Sequence, residues 1–221
     1  YTPYLNQFLA LHHIEAMEIR IDEVILKHFK EIYKEGEITK GKNLLAFEVA
    51  KRNVYNFLQL EKKDIEADQA IKVLLLEASL SCEIAVKSLP FPIKIAGKVD
   101  RIEERNGAIR IIDYKTGKVD GNSLKIQDFG DLTSDIKNEK IIQLLCYALM
   151  FENHELKQNR EVSAGIVSFK NMKSGFLPFG LGKGKDAELA ISTEILEDFK
   201  SELETLIVEI FNPEIPFKEK I

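Results

Sequence analysis

Residues 97–117 read GKVDRIEERNGAIRIIDYKTG, and the dipeptide near the middle of this stretch decides the fold. Asn106-Gly107 between two apolar runs is the strongest short hairpin signal a sequence carries, because a two-residue type I′ turn needs positive φ at both positions. The turn predicts strands over about 93–102 and 108–116. It also sets a register in which Asp100 lies directly across from Asp113 on one face, with Cβ atoms about 4.5–5.5 Å apart. Two carboxylates so placed repel unless something neutralises them, and a divalent cation is the natural neutraliser. The period of two puts Lys115 on the same face one step further along, with Lys98 facing it. The strand is apolar on both faces around Ile109, Ile111 and Ile112, which marks it as buried, and buried carboxylates are rarely left unpaired. Hard oxygen donors with incomplete protein coordination suit Mg²⁺, which retains waters and works beside phosphates. A metal here would activate a water and polarise a phosphoryl oxygen, with Lys115 orienting that water or stabilising the developing charge.

Outward from the hairpin, the N-terminal part is helical. Apolar residues recur at helical spacing from Leu5 to Tyr33, Gly36 ends that run, and a second run spans Lys42 to Leu60. Residues 71–78 and 81–87 turn to β-type composition. Residues 117–138 are polar and Gly/Asp-rich and read as a long, mobile loop, whereas 139–151 (EKIIQLLCYALMF) are apolar almost all round and read as a buried helix. A strand follows over 162–170, then a glycine-punctuated loop from Lys173 to Lys185, and a last amphipathic helix over Thr193–Phe211 that Pro213 stops. The order predicts a mixed α/β core with a helical N-terminal annex.

Composition bounds the rest. The chain has 221 residues, 45% hydrophobic and 30% charged, which is ordinary for a globular domain with one core. Cys82 and Cys146 are too few for a four-cysteine zinc or iron–sulfur site, and they fit a reducing, cytoplasmic setting. No apolar run reaches the roughly 18 residues of a membrane span. The chain begins at Tyr1 and is expected to be a piece of a longer protein. Its net charge of −5 speaks against nucleic-acid binding at first sight. Lys98, Arg101, Arg110, Lys115, Lys118 and Lys125, however, cluster in the hairpin region and suggest a local field of opposite sign.

The hairpin followed by QLLCY (143–147) resembles the G-x-x-D-R-x, D-Y-K-T-G and Q-x-x-x-Y motifs of RecB-type nucleases in the PD-(D/E)XK superfamily, most nearly the C-terminal nuclease domain of AddB-like helicase–nuclease subunits. The likeness extends over the helical lead-in, the strand around Glu77 and the final NPEIPF segment. It implies a restriction-endonuclease-like fold, a mixed sheet flanked by helices, with residues 1–70 as a helical part and 71–221 as the nuclease core. It implies a Mg²⁺- or Mn²⁺-dependent deoxyribonuclease that processes DNA ends for repair or recombination beside a helicase.

Residue by residue, the resemblance makes Asp100 and Asp113 metal ligands, with the backbone carbonyl of Tyr114 as a third. Lys115 matches the catalytic lysine, and Gln143 and Tyr147 match helix residues near the metal and the DNA backbone. Glu77 matches an acidic residue that orients the site or binds through water. One position departs from the pattern. Members carry a metal-binding His in the N-terminal helix, and matching on Tyr33 puts Leu26 there. His28 lies two residues on, about 200° round the helix. Either His28 substitutes after a register shift or the site lacks a ligand, which leaves a catalytically silent DNA- or partner-binding module as the alternative. No iron–sulfur cluster is expected.

Overall fold

The structure is a computed structural model that describes residues 1–34, 37, 40–130, 132, 133, 135–182 and 184–216. In chain order its elements are α1 (Leu11–Ile19), α2 (Ile21–Tyr33), α3 (Gly41–Glu66), β1 (Ile71–Ile84), β2 (Ile93–Arg105), β3 (Ala108–Lys115), β4 (Lys125–Ile126), α4 (Glu139–Phe151), β5 (Val162–Ser168), β6 (Phe176–Pro178), β7 (Gly180–Leu181) and α5 (Thr193–Phe211). Strands β1-β2-β3-β5-β6 form one mixed sheet, antiparallel except for the β3–β5 pair. Helices cover both faces, which is the α/β architecture the sequence predicts.

The hairpin forms as read. Asn106 and Gly107 take φ of 52° and 86°, the two left-handed positions of a type I′ turn. Pairing runs from Arg105–Ala108 to Arg101–Ile112 in the expected register. The Asn106 side chain accepts from the Ala70 amide at 2.8 Å and so ties the turn to the start of β1.

On one face of the sheet, α4 and α5 build the main core with Ile102, Ile109, Ile111, Leu144, Phe151, Phe199 and Leu203. An all-round apolar α4 is explained by this placement between sheet and α5. On the other face, α3 sends Phe57 against Ile112 and Val167. The N-terminal helices make a smaller core of Leu9, Ile14, Ile21, Leu58, Ile71 and Val73.

Three elements differ from the sequence reading. The first helical run is broken: residues 5–10 are not helical, and the helix after them is split at Arg20. The amides of Asn6 and Leu9 donate to the carbonyls of Val73 and Ile71 at 2.9 and 2.8 Å, so this segment covers the free edge of β1, where an open strand would otherwise expose unpaired groups. Gly36, expected to end the helix, lies outside the described residues. The two β segments of 71–87 are one strand, with a register shift between Val73 and Leu75 and a kink at Glu77, whose φ is 51°. Among the described residues of 117–138, Val119, Leu124, Phe129 and Leu132 are buried in the main core, so these parts of the segment do not hang free. The expected loop at 173–185 likewise contributes β6 and β7. Gly165 is required where β6 crosses β5, since a Cβ there would come within 2.4 Å of the Leu177 carbonyl oxygen. Among the described residues no helix is long and apolar enough to cross a membrane.

Candidate active site

Below the Arg101–Ile112 pair, β2 and β3 separate, and the separation creates the site. Instead of continuing the backbone ladder, the Tyr114 amide donates to Asp100 Oδ2 at 2.7 Å. The expected direct strand pairing of Asp100 with Asp113 is therefore replaced by a fork, with Asp100 fixed through the backbone between Asp113 and Lys115. The two carboxylates still feel each other. Burial raises the Asp113 pKa above its ordinary value, Lys115 works against that rise, and Asp100 adds to it.

Asp113 is 3% exposed. Its Oδ2 lies 2.9 Å from Lys115 Nζ, yet no hydrogen bond of good geometry satisfies that oxygen. Lys115 Nζ also donates to Gln143 Oε1 at 2.9 Å, and Gln143 Nε2 donates to the Tyr147 hydroxyl oxygen at 2.7 Å. One helical turn of α4 thus aligns a chain from Tyr147 through Gln143 and Lys115 to Asp113. The Tyr147 pKa is raised, first by burial, so its hydroxyl keeps a proton that Gln143 does not use. Gly97, the glycine of GKVD, explains how α4 comes so close. A Cβ there would meet Met150 Cε at 3.1 Å and Tyr147 Cε1 at 3.4 Å.

The far side of the same hairpin is filled with charge of a different kind. Arg101 is 0% exposed and sits between Glu61 Oε1 at 2.6 Å and Glu103 Oε2 at 2.5 Å. Burial alone would lower its pKa, but Glu103 and Glu61 hold it well above the ordinary value. Arg105 bonds to Glu103 at 3.1 Å and Asp64 at 2.7 Å, and the Tyr1 hydroxyl donates to Glu61. Tyr114 stacks on Phe169 with centroids 5.5 Å apart and meets Phe57 edge-on at 5.4 Å, next to Arg101.

Asp100, Tyr114, Asp113, Lys115, Gln143 and Tyr147 come together. Glu77 falls across β1–β2 from Asp100, between the Leu76–Arg101 and Ala78–Val99 pairs, but its exposed carboxylate is held by Lys98 at 2.6 Å. Lys98 therefore does not face Lys115 as the simple hairpin register predicts, because β2 has already left β3 at that point. His28 is exposed and its Nδ1 lies 3.0 Å from Glu31 Oε2. With Glu77 and Tyr114 it lines a cavity of about 800 Å³ that neither Asp100 nor Asp113 reaches. Among the described residues no group of three or more His, Cys, Asp or Glu side chains converges.

The expected cluster of cations around the hairpin disperses as well. Arg101 is buried and neutralised, Arg110 stacks on Phe176 with its guanidinium 4.8 Å from the ring centroid, and Lys125 donates to the Gly184 carbonyl at 2.7 Å. Of the six, Lys115 alone is bonded into the site. The sequence reading missed Glu61, whose partner lies forty residues away and leaves no local pattern. It also missed Lys140, which the spacing K-x-x-Q-x-x-x-Y could have revealed as sharing the face of Gln143 and Tyr147.

The donor set suits a hard divalent cation. Two carboxylates and a backbone carbonyl are oxygen ligands, and the unsatisfied buried oxygen of Asp113 is a group that a cation would satisfy. The profile of the PD-(D/E)XK nuclease superfamily matches residues 5–220. No curated protein matches the chain. The chain belongs to the PD-(D/E)XK nuclease superfamily.

Proposed function

We propose that this member of the PD-(D/E)XK superfamily is a Mg²⁺- or Mn²⁺-dependent deoxyribonuclease of RecB/AddB type. In this reading it hydrolyses phosphodiester bonds exonucleolytically at DNA ends that a helicase delivers during repair or recombination. Residues 1–70 and 71–221 act together as one domain, the first as helical annex and the second as nuclease core. The observation that carries the reading is Asp113: a buried carboxylate with an unsatisfied oxygen, 2.9 Å from a lysine that is itself held by Gln143.

Asp100, Asp113 and the Tyr114 carbonyl would hold the metal. When bound, it supplies Lewis-acid activation of water and of the phosphoryl oxygen. The remaining work belongs to the chain. Gln143 fixes the Lys115 ammonium so that its third proton is free to orient the attacking water or to meet charge developing on the phosphate, and a preorganised donor of this kind needs no rearrangement during the reaction. The Tyr147 hydroxyl, accepting from Gln143, donates to a phosphate oxygen. Glu77, paired with Lys98 at 2.6 Å, orients the approach to Asp100 from β1.

The test is incubation of the protein with linear single- and double-stranded DNA and Mn²⁺. Cleavage by the wild type and none by Asp113→Ala is expected. Cleavage no greater than that of Asp113→Ala, together with no metal binding, would overturn the reading. It would leave the silent DNA- or partner-binding module, which the lack of a third converging side-chain ligand among the described residues favours.

A further inference from the structure

Lys140 lies one turn before Gln143 and two before Tyr147, so the i, i+3, i+7 spacing sets all three on the α4 face that carries the chain to Lys115. A site built from two carboxylates repels a DNA strand until cations offset them. Lys115 is the one cation of the hairpin bonded there, and its ammonium is already engaged by Asp113 in an ion pair at 2.9 Å and by Gln143 in a hydrogen bond at 2.9 Å. Lys140 is differently placed. Its side chain is 34% exposed, and its ion pair among the described residues is with its own neighbour Glu139, at 2.8 Å. Glu139 is exposed, and a pair of that kind is weak and readily exchanged.

We propose that Lys140 is a substrate-binding residue of the site, exchanging Glu139 for a backbone phosphate of the DNA strand next to the bond that is cut. This assignment rests on the reading of the protein as a DNA nuclease. Lys140 positions the strand, while Lys115 serves the reacting phosphate. A flexible lysine stem with a point charge suits a phosphate whose exact approach varies with sequence, and it needs no bidentate geometry.

The experiment compares wild type, Lys140→Ala, Lys140→Arg and the control Lys137→Ala, whose ammonium is 3.9 Å from Asp135 on an exposed turn. Cleavage kinetics are read in Mn²⁺, and binding of a labelled single-stranded oligonucleotide is read in Ca²⁺ across a salt series. For Lys140→Ala the expected result is a KM raised about ten-fold with kcat within about two-fold, and a log–log salt slope shallower by about 0.7–1. Lys140→Arg should restore both, and Lys137→Ala should match wild type. An unchanged KM and slope in Lys140→Ala would overturn the proposal, as would a loss confined to kcat. Should the wild type neither bind nor cut DNA, the nuclease reading falls and this assignment falls with it. A wild type that binds without cutting leaves the salt slope to decide the assignment by itself.

Discussion

The two sides of the β2–β3 hairpin bury charge to opposite ends. Toward α3, both buried acids have a guanidinium: Glu61 and Glu103 share Arg101, and Glu103 also pairs with Arg105, which reaches the partly exposed Asp64. Toward α4, Asp113 is nearly as buried, but its counter-ion is a single lysine, and that lysine is shared with a glutamine. The same two strands therefore carry a closed network on one side and an open one on the other. A closed network of guanidinium pairs fixes the strands in place, whereas an open one leaves a buried carboxylate only partly neutralised and ready for a metal cation, at a cost in stability.

The largest expected effect tests the closed side. Arg101→Met removes the shared cation and leaves Glu61 buried without a counter-charge, which should cost about 3–5 kcal/mol of unfolding free energy. Urea denaturation measures it. Glu103 keeps Arg105, so adding Glu61→Leu to Arg101→Met should recover most of the loss, because removing both partners avoids the unpaired charge. A single-variant loss below about 1 kcal/mol, the range of an exposed pair, would erase the contrast between the two sides.

On the open side the corresponding variant should leave the fold alone and stop the chemistry. Lys115→Ala should lower kcat by about 10²–10³, the range for loss of one preorganised electrostatic group. Mn²⁺ affinity, followed by calorimetry, should be largely retained because lysine is not a ligand. Loss of metal binding in Lys115→Ala would show that the lysine holds the carboxylates together, and the open side would then be a structural network like the closed one.

The front of this arrangement was legible in the sequence and the back was not, for a physical reason. Asp100, Asp113 and Lys115 lie within one hairpin, where an Asn-Gly turn and the period of two place them without further information, and Gln143 and Tyr147, which the resemblance to the Q-x-x-x-Y motif names, share one helical face by their spacing. Even there the sequence overextended the register, since the fork at Asp100 arises from a side chain taking the Tyr114 amide, a choice that strand pairing rules do not contain. Pairing of Lys98 with Glu77 follows from the same fork. Glu61 with Arg101, the cover of residues 6–9 on β1 and the docking of 117–138 all depend on chain segments far apart in sequence, where tertiary contacts override local pattern.

The smallest effect is also the one most able to break the comparison, because it asks whether Asp113 burdens the fold as an open group should. Burial raises its pKa more than Lys115 lowers it, so the native state binds this proton more tightly than the unfolded chain does. Between the two pKa values the native state holds more protons, and stability must fall as pH rises through that window, with the full cost present above it. In chelator at neutral pH, Asp113→Asn should therefore melt higher than wild type, by about 2–4 °C for each kcal/mol relieved in a chain of this size. The gap should close as pH falls through the folded pKa of Asp113, where the wild-type carboxyl becomes neutral too. Thermal melts of both proteins from pH 7 downward measure this directly. If the wild type melts higher at neutral pH, the ammonium of Lys115 more than offsets the burial, and the pair on the α4 side would be as self-sufficient as Arg101 with Glu61.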